Sequence, residues 1–175
     1  MEQSSAGEPT PDTPIEHCLA RWMEVLHGDV ESLPSILHAD AVLHSPVLFA
    51  PQAGRDTVAM YLTAAAAAFA GVGPLTSAVA PPADGTKTVR HPIVDDWDGR
   101  FRYVRQVVGS HDAVLEFETT MDGSYVNGVD MITCDDDGLI TDFKVMVRPA
   151  RAVDAVKAQM LAALELFQSG GGESA

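Results

Sequence analysis

Apolar positions along this chain recur first at helical spacing and then at strand spacing. Thr13-Pro14-Ile15-Glu16 is a capping box with proline at the first helical position, and Gly28 stops the helix it opens. Within that helix Ile15, Leu19, Trp22, Met23 and Leu26 fall on one stripe. Asp29 caps a second, shorter helix to about Leu37, disturbed by Pro34. A short strand, Ala41 to Ser45, stops at Pro46, and a loop from Val47 to Gly54 leads to a third helix near Arg55 to Phe69. Its buried stripe is Val58, Leu62, Ala65, Ala66 and Phe69.

After Gly99 the period changes to two. Strands are predicted at Phe101 to Val108, Ala113 to Met121, Tyr125 to Cys134 and Leu139 to Val147. Asp122-Gly123 is a two-residue hairpin turn, and Asp135 to Gly138 closes a second, longer hairpin. Pro149 opens a last helix striped by Val153, Val156, Met160, Leu164 and Phe167. The reading is one α+β domain over residues 14–168, with disordered tails at 1–13 and 169–175 and an irregular insertion at 71–99. In that insertion a short strand fits Leu75 to Val79 or Thr88 to Val94, and Trp97 is expected to cover the edge of the core.

Pairing the long hairpin across its turn sets Asp130 opposite Phe143, Gly128 opposite Val145 and Val126 opposite Val147. Continued through the preceding strands, the same phase gives two faces. One holds Val104, Gln106, Leu115, Phe117, Val126, Asp130, Ile132, Phe143, Val145 and Val147, and is expected to lie inward under the helices. The other holds Tyr103, Arg105, Glu116, Glu118, Asn127, Met131, Lys144, Met146 and Arg148, with Arg105 opposite Glu116 and Tyr103 opposite Glu118. Such a mixed, charge-matched face suits a subunit interface, and a homodimer through this outer face is expected. On the inner face Asp130 is the one carboxylate.

Charge and composition then narrow the partners. With 175 residues and a formal net charge of −14, neither nucleic acid nor an anionic membrane surface is an expected partner. The alanine run from Ala64 to Ala70 is too short to span a bilayer, and the N-terminus lacks the charged start and apolar centre of a signal peptide. Cys18 and Cys134 stand in different predicted elements and read as reduced thiols of a cytoplasmic protein. Six histidines without ligand-like spacing predict no metal site. No nucleotide fingerprint, phosphate loop or nucleophile triad is present, so no cofactor is expected.

Three stretches carry a family resemblance. LARWMEVLHGDVESLPSILHADAVLHSP, GRDTVAMYL and GVDMITCDDDGLITDFKVMV resemble the paired opening helices and first strand, the third helix and the closing hairpin of the nuclear transport factor two-like superfamily. SnoaL-like polyketide cyclases, limonene epoxide hydrolase and ketosteroid isomerase belong to it. The ending VNGVDMI…FKVMVRP also resembles a subgroup of small actinobacterial proteins without assigned activity. The resemblance spans roughly Pro14 to Ala155 outside the insertion and implies a cone of curved antiparallel sheet covered by helices, whose mouth admits a small, mostly apolar molecule.

Residue by residue, the resemblance carries over only in part. The ketosteroid isomerase base falls on Ser45, its first-helix tyrosine on Trp22 and its protonated aspartate on Asp130. The hairpin aspartate of epoxide hydrolase falls on Val145, and the strand before offers Phe117 and Thr119. Neither constellation is complete. Asp130 is then either a general base or a protonated hydrogen-bond donor with a pKa raised by burial, or a buried acid satisfied by Trp22, Tyr61 or a backbone amide. His44 is a second base candidate if Pro46 bends it inward. Trp22, Ser45, Tyr61, Gln106, Phe117, Val145 and Val147 are the expected pocket members. The cavity should reach about 300 Å³, and if Trp22 and Phe143 fill that space solid, the enzyme and the binding readings fail together. Three functions remain open: a binding protein for an apolar molecule, a cofactor-free cyclase or isomerase using Asp130, or a purely structural dimer. The loss of a base at Ser45 favours the first.

Overall fold

The computed structural model describes residues 13–70 and 97–170, apart from the side chains of 70 and 166–170. The expectations for the tail before residue 13, for 71–96, for 171–175 and for the Phe167 side chain lie outside the described residues. The order is helix α1 (Pro14–Leu26), a short 3-10 helix (Val30–Ile36), strands β1 (Leu37–His44) and β2 (Gln52–Ala53), helix α2 (Arg55–Ala70), strands β3 (Arg102–Val108), β4 (Asp112–Met121), β5 (Ser124–Cys134) and β6 (Ile140–Arg148), and helix α3 (Ala150–Gly170). The α+β architecture expected from the sequence is the one found, and among the described residues the strands form a curved six-stranded sheet ordered β2-β1-β6-β5-β4-β3.

Local chemistry places these elements. The Thr13 hydroxyl accepts from the Glu16 N–H while the Glu16 carboxylate accepts from the Thr13 N–H, and this fixes the start of α1. Pro34 is held within the 3-10 helix. Asp122 and Gly123 both take positive φ, 46° and 71°, which makes the tight β4–β5 turn. At the other hairpin the Asp135 carboxylate accepts from the Asp137 and Leu139 N–H groups.

Three pairings differ from expectation. β1 is longer than Ala41 to Ser45 and pairs in parallel with β6, while β2 pairs on its other side. The long hairpin is shifted by two residues: Gly128 lies opposite Val147, Asp130 opposite Val145 and Ile132 opposite Phe143. An irregularity between Thr133 and Cys134 takes up one residue of the shift, and a shift of two leaves every side chain on its face. β3 is irregular between Tyr103 and Arg105. There the shift is one residue, so Tyr103 pairs with Phe117 and Arg102, not Tyr103, pairs with Glu118. Tyr103 therefore belongs to the inner face.

The core lies between that inner face and the three helices. One part gathers Ile15, Cys18 and Trp22 of α1 with Leu33, Leu43, Leu115, Ile132 and Phe143. The other gathers Ala64 and Ala68 of α2 and Val156 and Met160 of α3 with Phe117 and Val126. Cys18 and Cys134 meet in the first part as free thiols hydrogen-bonded to each other, although the sequence separates them. Burial and the neighbouring Cys134 push Cys18 up to about 12, so its thiol is unreactive. Among the described residues no helix is long and apolar enough to cross a membrane.

Candidate functional site

Two parts of the core share three half-buried residues: Tyr61 of α2, Tyr103 of β3 and Val145 of β6. Asp130 of β5 sits at this junction, opposite Val145 on one side and Leu115 on the other. It is 6% exposed. Its Oδ2 accepts a 2.6 Å hydrogen bond from the Tyr103 hydroxyl, and the Tyr103 oxygen accepts one of 2.9 Å from the Trp22 indole N–H. Among the described residues Oδ1 has no partner. Loss of hydration on burial raises the Asp130 carboxyl to about 7, against the smaller downward pull of the Tyr103 hydrogen bond. Tyr103 is held well above its ordinary value by burial and by the adjacent Asp130, so the phenol keeps its proton.

The irregularity in β3 creates this site. Without it Tyr103 would point to the outer face, and no described donor would reach Asp130. The sequence reading missed Tyr103 because it carried the phase of Val104 and Gln106 back through the strand. The alternation of Phe101 and Tyr103 around Arg102 is the signal that places Tyr103 inward. Fixed packing holds both members of the chain: the Trp22 ring lies 5.0 Å from Phe143, and the Tyr103 ring 5.2 Å from Phe101.

The other expected site residues fare differently. Trp22 and Phe143 are both buried and pack against each other, so Trp22 is core and hydrogen-bond donor rather than open wall. Phe117 is 1% exposed and packs against Phe69 and Phe101. Tyr61, Val145 and Val147 are half-buried and pack against the part of the core that holds Phe117. Ser45 is half-buried, and its hydroxyl accepts from the Val47 N–H two residues on. Gln106 is exposed, not a pocket residue. It has the inward register opposite Leu115, but edge strand β3 is exposed from Val104 to Val108. Val104, expected inward, is likewise exposed.

His44 is not a base for this site. Strand alternation persists to the end of β1, so Leu43 points into the core and His44 to the opposite face, where its Nε2 lies 2.9 Å from Asp142 Oδ2. Pro46 follows the strand and bends nothing inward.

The outer face carries its own network. Glu118 bonds to the Arg102 guanidinium at 2.5 and 2.8 Å and accepts from the Tyr125 hydroxyl. Asn127 donates to Glu116 and accepts from Arg148. Trp97 stacks edge-on against Tyr125 beneath Arg102, on this face and not over the core. An open concavity of about 450 Å³ lies beside Trp97, Arg100 and Arg102, and another of about 380 Å³ at the start of α2 by Gly54 and Thr57. Neither touches Asp130.

Comparison with known proteins places this arrangement. No family model and no curated protein sequence matches the chain. Among solved structures it is similar to a steroid delta-isomerase from Pseudomonas aeruginosa, with 30% identity and a TM-score of 0.68 over 93% of this chain and 99% of that one. It is also similar to a conserved bacterial protein with a cystatin-like fold from Silicibacter pomeroyi, at 28% identity and TM-score 0.60 over 83% of each chain. A third is an NTF2-like protein of unknown function from Mesorhizobium loti, at 20% identity and TM-score 0.56 over 81% of this chain and 98% of that one. At the identity and coverage shared with the Pseudomonas protein, and with the same curved sheet and helices, this chain belongs to the nuclear transport factor two-like superfamily.

Proposed function

We propose that this protein binds a small, mostly apolar molecule against the inner face of its sheet, with Asp130 as the polar anchor and no cofactor. The observation that carries this reading is Asp130 Oδ1: a buried oxygen without a described partner, on a mostly apolar face. Buried polar atoms in folded proteins are nearly always bonded, and one that is not has capacity left for a ligand. Tyr61, Val145 and Val147 give the ligand an apolar bed beside it.

Titration calorimetry with cyclic ketones and alcohols of monoterpene to steroid size tests this. At least one should bind, and Asp130→Leu should weaken it by about tenfold or more. Unchanged affinity in the variant would remove Asp130 from the site.

A second reading is catalysis of the isomerase type, with Asp130 moving a proton. It is favoured by a carboxyl raised to about 7, close to the working pH of a general acid or base. The 30% identity to a steroid delta-isomerase supports it as well. Against it, the position before Pro46 holds Ser45, whose hydroxyl is engaged locally. The two readings separate on conversion of a β,γ-unsaturated ketone to its conjugated isomer, which absorbs in the ultraviolet: catalysis requires turnover that Asp130→Asn abolishes.

The outer sheet face fits a second copy of the chain. Met131 and Met146 are exposed there among the paired charges. Light scattering at micromolar concentration should give twice the 18.6 kDa chain mass, and Met146→Glu should return the monomer. A wild-type monomer would count against this pairing.

A further inference from the structure

Cys18 and Cys134 stand outside the ligand-binding reading. They are the two cysteines of the chain, so one intramolecular pairing exists. Far apart in the sequence, they meet in one part of the core, where Cys18 is fully covered and Cys134 is 4% exposed. The turn between β3 and β4 holds the backbone on both sides of this meeting point. Its Ser110 carbonyl accepts from the Ile15 N–H at the start of α1, at 3.2 Å. Its His111 carbonyl accepts from the Cys134 N–H at the end of β5, at 2.9 Å. The β5–β6 turn closes on the same helix. A Cβ on Gly138 would stand 3.1 Å from the Pro14 carbonyl oxygen and 3.5 Å from the Cys18 nitrogen. Two turns thus hold the start of α1 against the end of β5, and the two thiols are hydrogen-bonded to each other.

We propose that Cys18 and Cys134 are a disulfide-forming site, where exchange with a small-molecule disulfide crosslinks the start of α1 to the end of β5. The physical argument is proximity. Two thiols held side by side by the fold meet at a far higher effective concentration than the ends of a long flexible loop. Their disulfide is therefore favoured in the folded chain over the unfolded one, and by linkage it stabilises the fold by the same factor. Trp22 lies one helical turn after Cys18 on the same buried stripe. The crosslink therefore also ties down the helix that supplies the Tyr103 partner.

Burial keeps the folded thiols unreactive, so the exchange takes place while the start of α1 is undocked. Cys134 stays on the sheet, and its thiolate attacks one sulfur of the small disulfide. That S–S bond breaks, one small thiolate leaves, and a mixed disulfide stands on Cys134. When Cys18 returns with the helix, its thiolate attacks the Cys134 sulfur, and the second small thiolate leaves. The two leaving thiolates take up the two cysteine protons. The cysteine pair has lost two electrons, and the small disulfide has gained them.

The test uses the full-length chain, reduced in urea and then refolded at about pH 8 in a mixture of oxidised and reduced glutathione. A second sample stays in urea in the same mixture. Alkylation stops the exchange, and intact mass with peptide mapping gives the ratio of crosslinked to reduced pair. That ratio should be at least about a hundredfold higher in the refolded protein, with the crosslink inside one chain. A ratio no higher than in urea, or crosslinks mainly between two chains, would overturn the site. The crosslinked protein should also melt about 5 °C or more above the reduced one. An equal or lower melting temperature would overturn it as well, because a fold that brings the thiols together must gain from joining them.

Discussion

Relative to wild type, Asp130→Asn should gain about 4 kcal/mol of folding stability on going from pH 4 to pH 8. The amide oxygen of the variant still accepts from Tyr103, but the side chain carries no charge to desolvate. In wild type the folded-state carboxyl titrates at about 7 against the ordinary 3.8. Below the ordinary value both folded and unfolded states hold the proton, and burial costs no charge. Between the two values only the folded state still binds the proton, so stability falls as pH rises, by about 1.4 kcal/mol per unit. Above about 7 the full loss is in place. Any fixed cost of the new amide N–H₂ is the same at both pH values and cancels in the comparison. Denaturant curves of the two proteins at both pH values check this, and an equal difference at each would mean that the carboxyl is not perturbed.

Gly128→Ala should cost about 3 kcal/mol, at the upper end of what overpacking does. Gly128 lies on the inner face opposite Phe117 and Val147. A Cβ there would run into the Phe117 ring and stand 2.5 Å from the Met146 carbonyl oxygen. The ring could turn aside, but the carbonyl belongs to the backbone of β6 beside it. Phe117→Leu should therefore not rescue Gly128→Ala. A loss below about 1 kcal/mol would show that the β5–β6 pairing yields at this point.

Much of this architecture was legible because it rests on local chemistry. The capping box fixes the start of α1, and Asp122-Gly123 can close its hairpin with both residues at positive φ. The face of the long hairpin survived a pairing error because the error was two residues. The parallel β1–β6 pairing was not legible, since it joins segments about a hundred residues apart and leaves no local pattern. Residues such as His38 and Asp40 also hid the first half of β1 among polar positions.

The candidate site was half legible. A single acid on an apolar face marked Asp130, and the structure buries it. Its donor was out of reach because one extra residue in β3 reverses the phase, and RYVRQVV alternates acceptably in either phase. The expectations for Gln106 and His44 fail on burial and direction: an inward register at an uncovered edge does not bury a side chain, and a proline after a strand does not undo its alternation.

The most direct measurement is the titration of the Asp130 carboxyl carbon by nuclear magnetic resonance in the ligand-free protein. A buried acid that keeps one oxygen for a ligand should titrate at about 7, and higher once Tyr103→Phe removes its donor. A midpoint at the ordinary 3.8, unmoved by that substitution, would mean a solvated carboxylate without the Tyr103 bond, and would contradict the account.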